Sequence, residues 1–492
     1  MEAPRGFLGL THNTAQANFG GDISGAAGPH DYVQTINTSI GIFSRSGTLL
    51  CPAVDVGTLW RGVGTACQTV GFTDSIVLFD RQAGRWLITR FAAGSAPQNP
   101  NWFECVAVSK TSDPTGGYFR YTFPISSRRF LFSDDYPKLG IWRDAYYLTA
   151  NARPCCPLGD IFGIFVTAFD RSAMLNGNRA KEVEFFIPRN APHAGQKLLS
   201  TLQPANVDGP TLPPAGTPEF LVQPQDDNMG WPADLLAVWS FRVDWSHPGS
   251  SKLAITSVVP VAGFDSNVCQ NATDPPAMNQ FCIVQRGTSD PLDPIAYGFS
   301  GYRLVYRRFA RAMPHLGRDV LVFAQTVGSA DNTRHTAIGW YAIGRLLGAT
   351  AEPWFLMQEG TYSPDANDRW LPSPGIDAKG DIAIGFNVSG PNLFPSVRYA
   401  GRRVTDPPGQ LPRHESTEAL GGGSQIQPTP PTPGNPHPAD NVTFGDYNQM
   451  VMDPTSDCRF WFTASFYRTR SDGTTHRFST AVGSFRFQGC TS

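Results

Sequence analysis

Apolar residues run along this chain in short bursts, and polar breaks follow each burst within about ten residues. Segments rich in Val, Ile, Phe, Tyr and Trp cover 32–42, 76–79, 86–91, 102–108, 118–124, 145–150, 161–169 and 183–188. Further ones follow at 235–245, 253–261, 302–309, 320–327, 337–343, 382–388, 459–467 and 478–487. Gly, Pro, Asp and Asn punctuate them, as expected of β-strands joined by turns. No stretch holds a 3.6-residue apolar period for more than about three turns, so the pattern predicts an all-β chain.

An internal repeat refines that expectation. DSIVLFDRQAGRWLITRF from Asp74, DYPKLGIWRDAYYLTANA from Asp135, WLPSPGIDAKGDIAIGFN from Trp370 and DYNQMVMDPTSDCRFWFTASF from Asp446 share one layout. An apolar strand leads to an Asp- or Gly-containing turn, and an aromatic-rich strand follows. The leading residue stands seven positions before Trp142, Asp377 and Asp453, and in the first copy six before Asp80. A hairpin repeated in this way predicts a single disulfide-stapled β-propeller of six or seven blades, seven preferred. Residues 1–30 read as an N-terminal extension and 31–492 as the propeller. The stretch 421–441 reads as a long Pro/Gly-rich loop, since the repeat resumes at Asp446. Two packed β-sandwich domains, with 421–441 as their linker, are the alternative.

Composition narrows the class. Gly (49) and Pro (42) are spread through all 492 residues, which suits many turns rather than one disordered tail. Net charge is −2 and arginines alternate with apolar residues, so nothing marks a nucleic-acid partner. No apolar run approaches the length of a membrane span, and residues 1–21 lack a signal-peptide core. Nine cysteines occur without a CxxC pair, which argues for disulfides in an oxidising compartment and against zinc. Spacing predicts Cys51 with Cys67, Cys269 with Cys282 and Cys458 with Cys490. Cys105 then falls to Cys155 or Cys156, with one thiol over.

The segments SDPTGGYFRYTF (112–123), DDYPKLGI (134–141), EGTYSPDANDRW (359–370) and GDYNQMVMDPTSDCRFWFTASFY (445–467) carry a resemblance. So do CIVQRGTSDPLDP (282–294) and YRLVYRRF (302–309). At these residues the chain resembles a family of secreted, mostly bacterial β-propeller proteins of unassigned activity. The resemblance implies fold and export. A looser one links Ser112, Ser363 and Ser471, each opening an Asp-box-like stretch, to sialidase-type propellers. All three depart from the Asp-box spacing.

In a propeller the first strand of each blade lines the central channel, and several strand starts converge at one mouth, the default place for a ligand. Asp74, Asp135 and Asp446 are therefore the candidate catalytic acids. Tyr136, Trp370 and Tyr447 are the candidate sugar-stacking rings, and Asp134, Asp135 and Asp446 a candidate set for calcium. The plainer alternative is that each Asp caps a turn and each Tyr fills the wall. Glu359 reads as an exposed loop carboxylate. His30, His315, His335 and His414 are too scattered to predict a metal site. No phosphate-binding loop and no GxSxG elbow occurs. Two functions remain: an extracellular module that recognises a glycan or protein at the channel mouth, or a carbohydrate-active hydrolase or lyase that uses the mouth aspartates.

Overall fold

The computed structural model describes the chain except for residues 3, 15–20, 70–72, 94–101, 126–131, 155–161, 190–201, 267, 269–281, 295–300, 330–334, 349–351, 414, 427–443, 471–476 and 491–492. Most of the 421–441 loop therefore lies outside the described residues, as do Cys155, Cys156, Cys269 and His414.

The described chain is all-β, with helix confined to single turns such as Arg171–Leu175. Its strands form antiparallel sheets of four, in chain order except where Arg5–Thr11 completes the last sheet beside Phe478–Arg486, and two such sets merge into one eight-stranded sheet. The merger is a parallel pairing of Gln203–Val207 with Leu304–Met313, the first strands of their sets.

First strands also touch around a closed circle. Ile23–Ala27 contacts Ile76–Asp80, which contacts Phe132–Ile141, which contacts Gln203–Val207. From Leu304–Met313 the circle continues through Asp368–Ile376 and Gln449–Asp453 back to Ile23–Ala27. Sheets set radially around a ring of first strands are a β-propeller. The inner strands crowd so closely that a Cβ on Gly140 would lie 2.5 Å from the Ala205 carbonyl oxygen.

Burial follows radius. Thr336–Arg345, covered on both faces, is buried at all ten positions, whereas the outer strand Lys252–Pro260 alternates between exposed and covered. A strand with both faces covered needs apolar residues at successive positions, which is why the inner segments read as bursts rather than alternations.

The four sequence repeats are hairpins of a first and a second strand. Ile76–Asp80 turns into Arg85–Ala93, Asp368–Ile376 into Ile382–Gly390, and Gln449–Asp453 into Ser456–Tyr467. The repeated Asp caps the turn: Asp80 accepts the N–H groups of Gln82 and Ala83, and Asp377 those of Lys379 and Asp381. Asp453 likewise accepts from Thr455. Gly84 and Gly380 take the left-handed positions these turns require.

Two expectations are corrected. Residues 1–30 are no extension: Arg5–Thr11 pairs antiparallel with Phe478–Arg486, and Ile23–Ala27 is a first strand. Leu10 and Ile23 are fully buried, and only the far end of the chain supplies the partner that makes these short segments strands. Cys51 does not pair with Cys67. Cys67 bonds Cys105, with Cα atoms 5.7 Å apart, and Cys51 is a free, exposed thiol. Cys67 lies on the short turn Ala66–Gln68, which packs against Arg85–Ala93 and Trp102–Ser109, so spatial nearness overrides sequence spacing. Cys105 is thereby taken from Cys155 or Cys156. Cys458 bonds Cys490 as expected, and Cys282 is disulfide-bonded.

Candidate functional site

Strand starts converge at one end of the channel. Asp22 precedes Ile23–Ala27, Asp74 precedes Ile76–Asp80, and Asp446 with Tyr447 precedes Gln449–Asp453. Within Phe132–Ile141 the pairing register shifts between Asp135 and Lys138, and Tyr136 takes a φ of 53° at that bulge. The bulge re-aims the side chains of the strand toward the axis. Asp368–Ile376 carries a bulge of the same kind, with Leu371 at a φ of 52°.

Tyr447 donates its hydroxyl to Asp74 Oδ2 at 2.9 Å, and Tyr136 donates to the Asp446 carbonyl at 3.0 Å. The two rings lie 4.9 Å apart, centroid to centroid. Asp22 Oδ2 accepts from Asn37 Nδ2 at 2.6 Å, and Asp135 Oδ2 from Arg153 Nε at 2.5 Å. Asp446 Oδ1 is buried without a partner. Asp135 and Asp446 keep contact with solvent, whereas Asp22 and Asp74 are buried.

A lysine stands among these acids. Lys138 is wholly buried, and its Nζ lies 3.0 Å from the Tyr136 ring centroid, 4.0 Å from that of Tyr447 and 5.8 Å from that of Tyr302. An ammonium against aromatic faces is held by the ring quadrupoles.

The electrostatics follow from burial and crowding. Burial, with the Asp135 charge beside it, pushes the Asp74 carboxyl up to about 7. Burial likewise raises Asp22 and Asp446, and neighbouring carboxylates add to it: Asp74 for Asp22, Asp293 and then Asp74 for Asp446. Burial lowers the Lys138 ammonium well below its ordinary value, and the surrounding aspartates only partly oppose this. Asp74 therefore holds its proton to about pH 7, and Asp22 and Asp446 hold theirs well above the ordinary carboxylate range.

Asp74, Asp135, Asp446, Tyr136 and Tyr447 thus come together as the sequence predicts, but two roles change. The rings are no open platform: Tyr136 and Tyr447 are buried with Lys138 over their faces, and Trp370 is wholly buried, 5.6 Å from Phe444. The calcium set does not assemble either. Among the described residues, no three ligand atoms from Asp134, Asp135 and Asp446 gather within ion-binding range. Asp134 points away, into the interface between two sheets, where it lies beside the buried carboxyl of Glu104. Burial pushes Asp134 up to about 8. As arranged here, these three residues therefore do not make a calcium site.

The acids that do cluster at ion-binding distance are Asp226, Asp227 and Asp234. Asp226 accepts the N–H groups of Asn228 and Ser266, and Asp234 those of Asp227 and Phe264, so both serve the local fold. Glu359 lies on Phe355–Tyr362 and accepts the Ala262 N–H. His335 bonds Ser363 Oγ at 2.9 Å, apart from the mouth.

Sequence reasoning missed Lys138, Asp22, Asp293 and Tyr302. Lys138 had a signal, as the one charge inside the apolar run that follows Asp135. Asp22 was hidden inside the supposed extension. Ion pairs stand toward the other end of the first strands, Arg81 and Arg307 on Asp457 and Arg303 on Asp208, and Arg81, Asp208 and Arg303 line a small pocket there.

No protein-family model matches this chain, and no curated protein does. Solved structures do overlay on it. One is a protein of unknown function from Dyadobacter fermentans, at 8% identity and a TM-score of 0.41, covering 84% of this chain and 94% of that one. Another is an endo-arabinase from Bacteroides thetaiotaomicron (12% identity, TM-score 0.29, 69% and 95% covered). A third is an α-L-arabinanase from Penicillium chrysogenum complexed with arabinobiose (8% identity, TM-score 0.36, 82% and 99% covered). At these values the likeness carries nothing about the site. Among the described residues, no helix is long and apolar enough to cross a membrane.

Proposed function

We propose that the chain is a secreted, seven-bladed β-propeller that receives a glycan at its channel mouth and cleaves a glycosidic bond there by carboxyl acid–base chemistry. The closed circle of first strands supports the blade count. The disulfides support an oxidising compartment.

One observation carries the chemical reading. Asp446 and Asp74 are carboxyls whose proton affinity is raised, and they share one mouth with the solvent-facing Asp135. Glycosidic cleavage needs a carboxylic acid that still holds its proton at working pH, with a second carboxylate opposite it. In this reading Asp446, whose proton affinity is raised by burial, protonates the leaving oxygen. Asp135, bonded to Arg153, acts as base or nucleophile, and buried Asp74 shapes the charge between them.

Recognition without turnover is the second reading. The Tyr447 hydroxyl and the Tyr136 N–H on Asp74 favour it, because a satisfied carboxylate is what a purely structural or binding role requires.

The test is product release from a panel of plant and microbial polysaccharides, read by chromatography, with and without calcium. Wild type should release sugar equally in both conditions, and Asp446→Asn should lower release at least about a hundredfold, the scale of a lost general acid. Binding without release by the wild type would establish recognition. Neither binding nor release would overturn a glycan at this mouth.

A further inference from the structure

Lys138 is unusual among the described residues of the channel. Its ammonium is wholly buried, its one hydrogen bond is a long one to the adjacent Pro137 carbonyl (3.4 Å), and it lies against two tyrosine faces. Those tyrosines are the groups that hold the acids: Tyr447 bonds the Asp74 carboxylate and Tyr136 the Asp446 backbone. Tyr302, the third ring near the ammonium, bonds the Leu139 carbonyl and so fixes the strand that carries the lysine. The groups facing Lys138 are the carboxyls of Asp22, Asp74, Asp135 and Asp446 and the phenols of Tyr136, Tyr302 and Tyr447. Asp293 stands behind Asp446, and Arg153 is bonded to Asp135.

We propose that Lys138 is a positioning residue of this site: it fixes Tyr136 and Tyr447 by their ring faces and, in its ammonium form, opposes the mutual repulsion of the surrounding carboxyls. The inference rests on the channel mouth being the working site, and it does not depend on whether the bound glycan is cleaved. It assigns the lysine two separable effects. One is mechanical, because removing the ammonium frees the rings. The other is electrostatic, because the positive charge favours the ionised form of Asp22, Asp74 and Asp446. A purely structural lysine would show only the first.

The test reads the electrostatic effect without substrate. Carboxyl-¹³C aspartate is incorporated into the full chain, the Asp74 signal is assigned with Asp74→Asn, and its titration is followed by NMR. Lys138→Met, of similar shape and no charge, should raise the Asp74 midpoint by about one unit, a tenfold fall in acid dissociation. Lys138→Arg should leave it near the wild-type value. Lys138→Ala should behave like the methionine variant, and added methylammonium chloride, but not sodium chloride, should bring the midpoint back. A folded Lys138→Met with an unmoved midpoint would overturn the proposal. So would a Lys138→Arg midpoint displaced as far as that of the alanine variant, a comparison that still decides if the methionine variant fails to fold. Polysaccharide release can fail while this titration succeeds, and the reverse, so the two readings fall separately.

Discussion

The carboxyl pair Glu104–Asp134 gives the fold a measurable pH dependence. Both side chains are buried between neighbouring sheets, and the Asp134 carboxyl is pushed up to about 8, first by burial and then by the charges of Glu184 and Asp135. A carboxyl with a raised folded-state value binds its proton more tightly folded than unfolded. Its contribution is full below the unfolded value of 3.8 and is lost as pH rises from there to about 8. The interval is about four units, so with roughly 1.4 kcal/mol per unit the ceiling for Asp134 is about 5 to 6 kcal/mol. Glu104 shares the proton, and relaxation at high pH softens the repulsion, so a difference of about 2 kcal/mol is the working expectation. Asp134→Asn keeps the shape and removes the charge. Guanidinium unfolding of both proteins at pH 5 and pH 8.5, disulfides intact, measures the effect. Wild type should lose more stability across that range than the variant, and the variant should be the more stable of the two at pH 8.5. An equal loss in both proteins, or a variant weaker at every pH, would refute the argument, because other titrating carboxyls act on both alike.

Other perturbations test other parts of the fold. Deleting residues 1–11 removes the strand paired with Phe478–Arg486, and melting followed by circular dichroism should show a clearly lowered Tm; an unchanged Tm would restore the extension reading. Asp319 is fully buried between Arg308 and Arg345, so Asp319→Asn leaves two guanidiniums short of a partner and should cost about 3–5 kcal/mol in denaturant unfolding. Cys458→Ser breaks a disulfide between residues 32 apart in sequence and should cost about 3 kcal/mol, whereas Cys51→Ser should leave stability unchanged and abolish thiol labelling at that position.

The all-β class, the repeated hairpin and the identity of three acids at the channel mouth are legible in the order of residues alone. These are local properties. A strand pattern, a turn-capping Asp and a strand start are each written in fewer than twenty consecutive residues, and the repeat by its own spacing aligns Asp135 with Asp446. The rest depends on which distant segments meet, and that is settled only when the chain is folded. The first thirty residues look unremarkable until Phe478–Arg486 lies beside Arg5–Thr11, and Cys67 finds Cys105 through packing that sequence spacing does not encode. Adjacent residues also part company. Asp134 and Asp135 alternate across one strand, so one joins Glu104 between the sheets while the other faces the mouth. The bulge that follows carries Lys138 over Tyr136 and Tyr447, turning expected sugar platforms into a cradle for an ammonium. Composition marks Lys138 as an oddity in an apolar strand; the convergence of strand starts at one end of the channel is what gives it acids to neutralise.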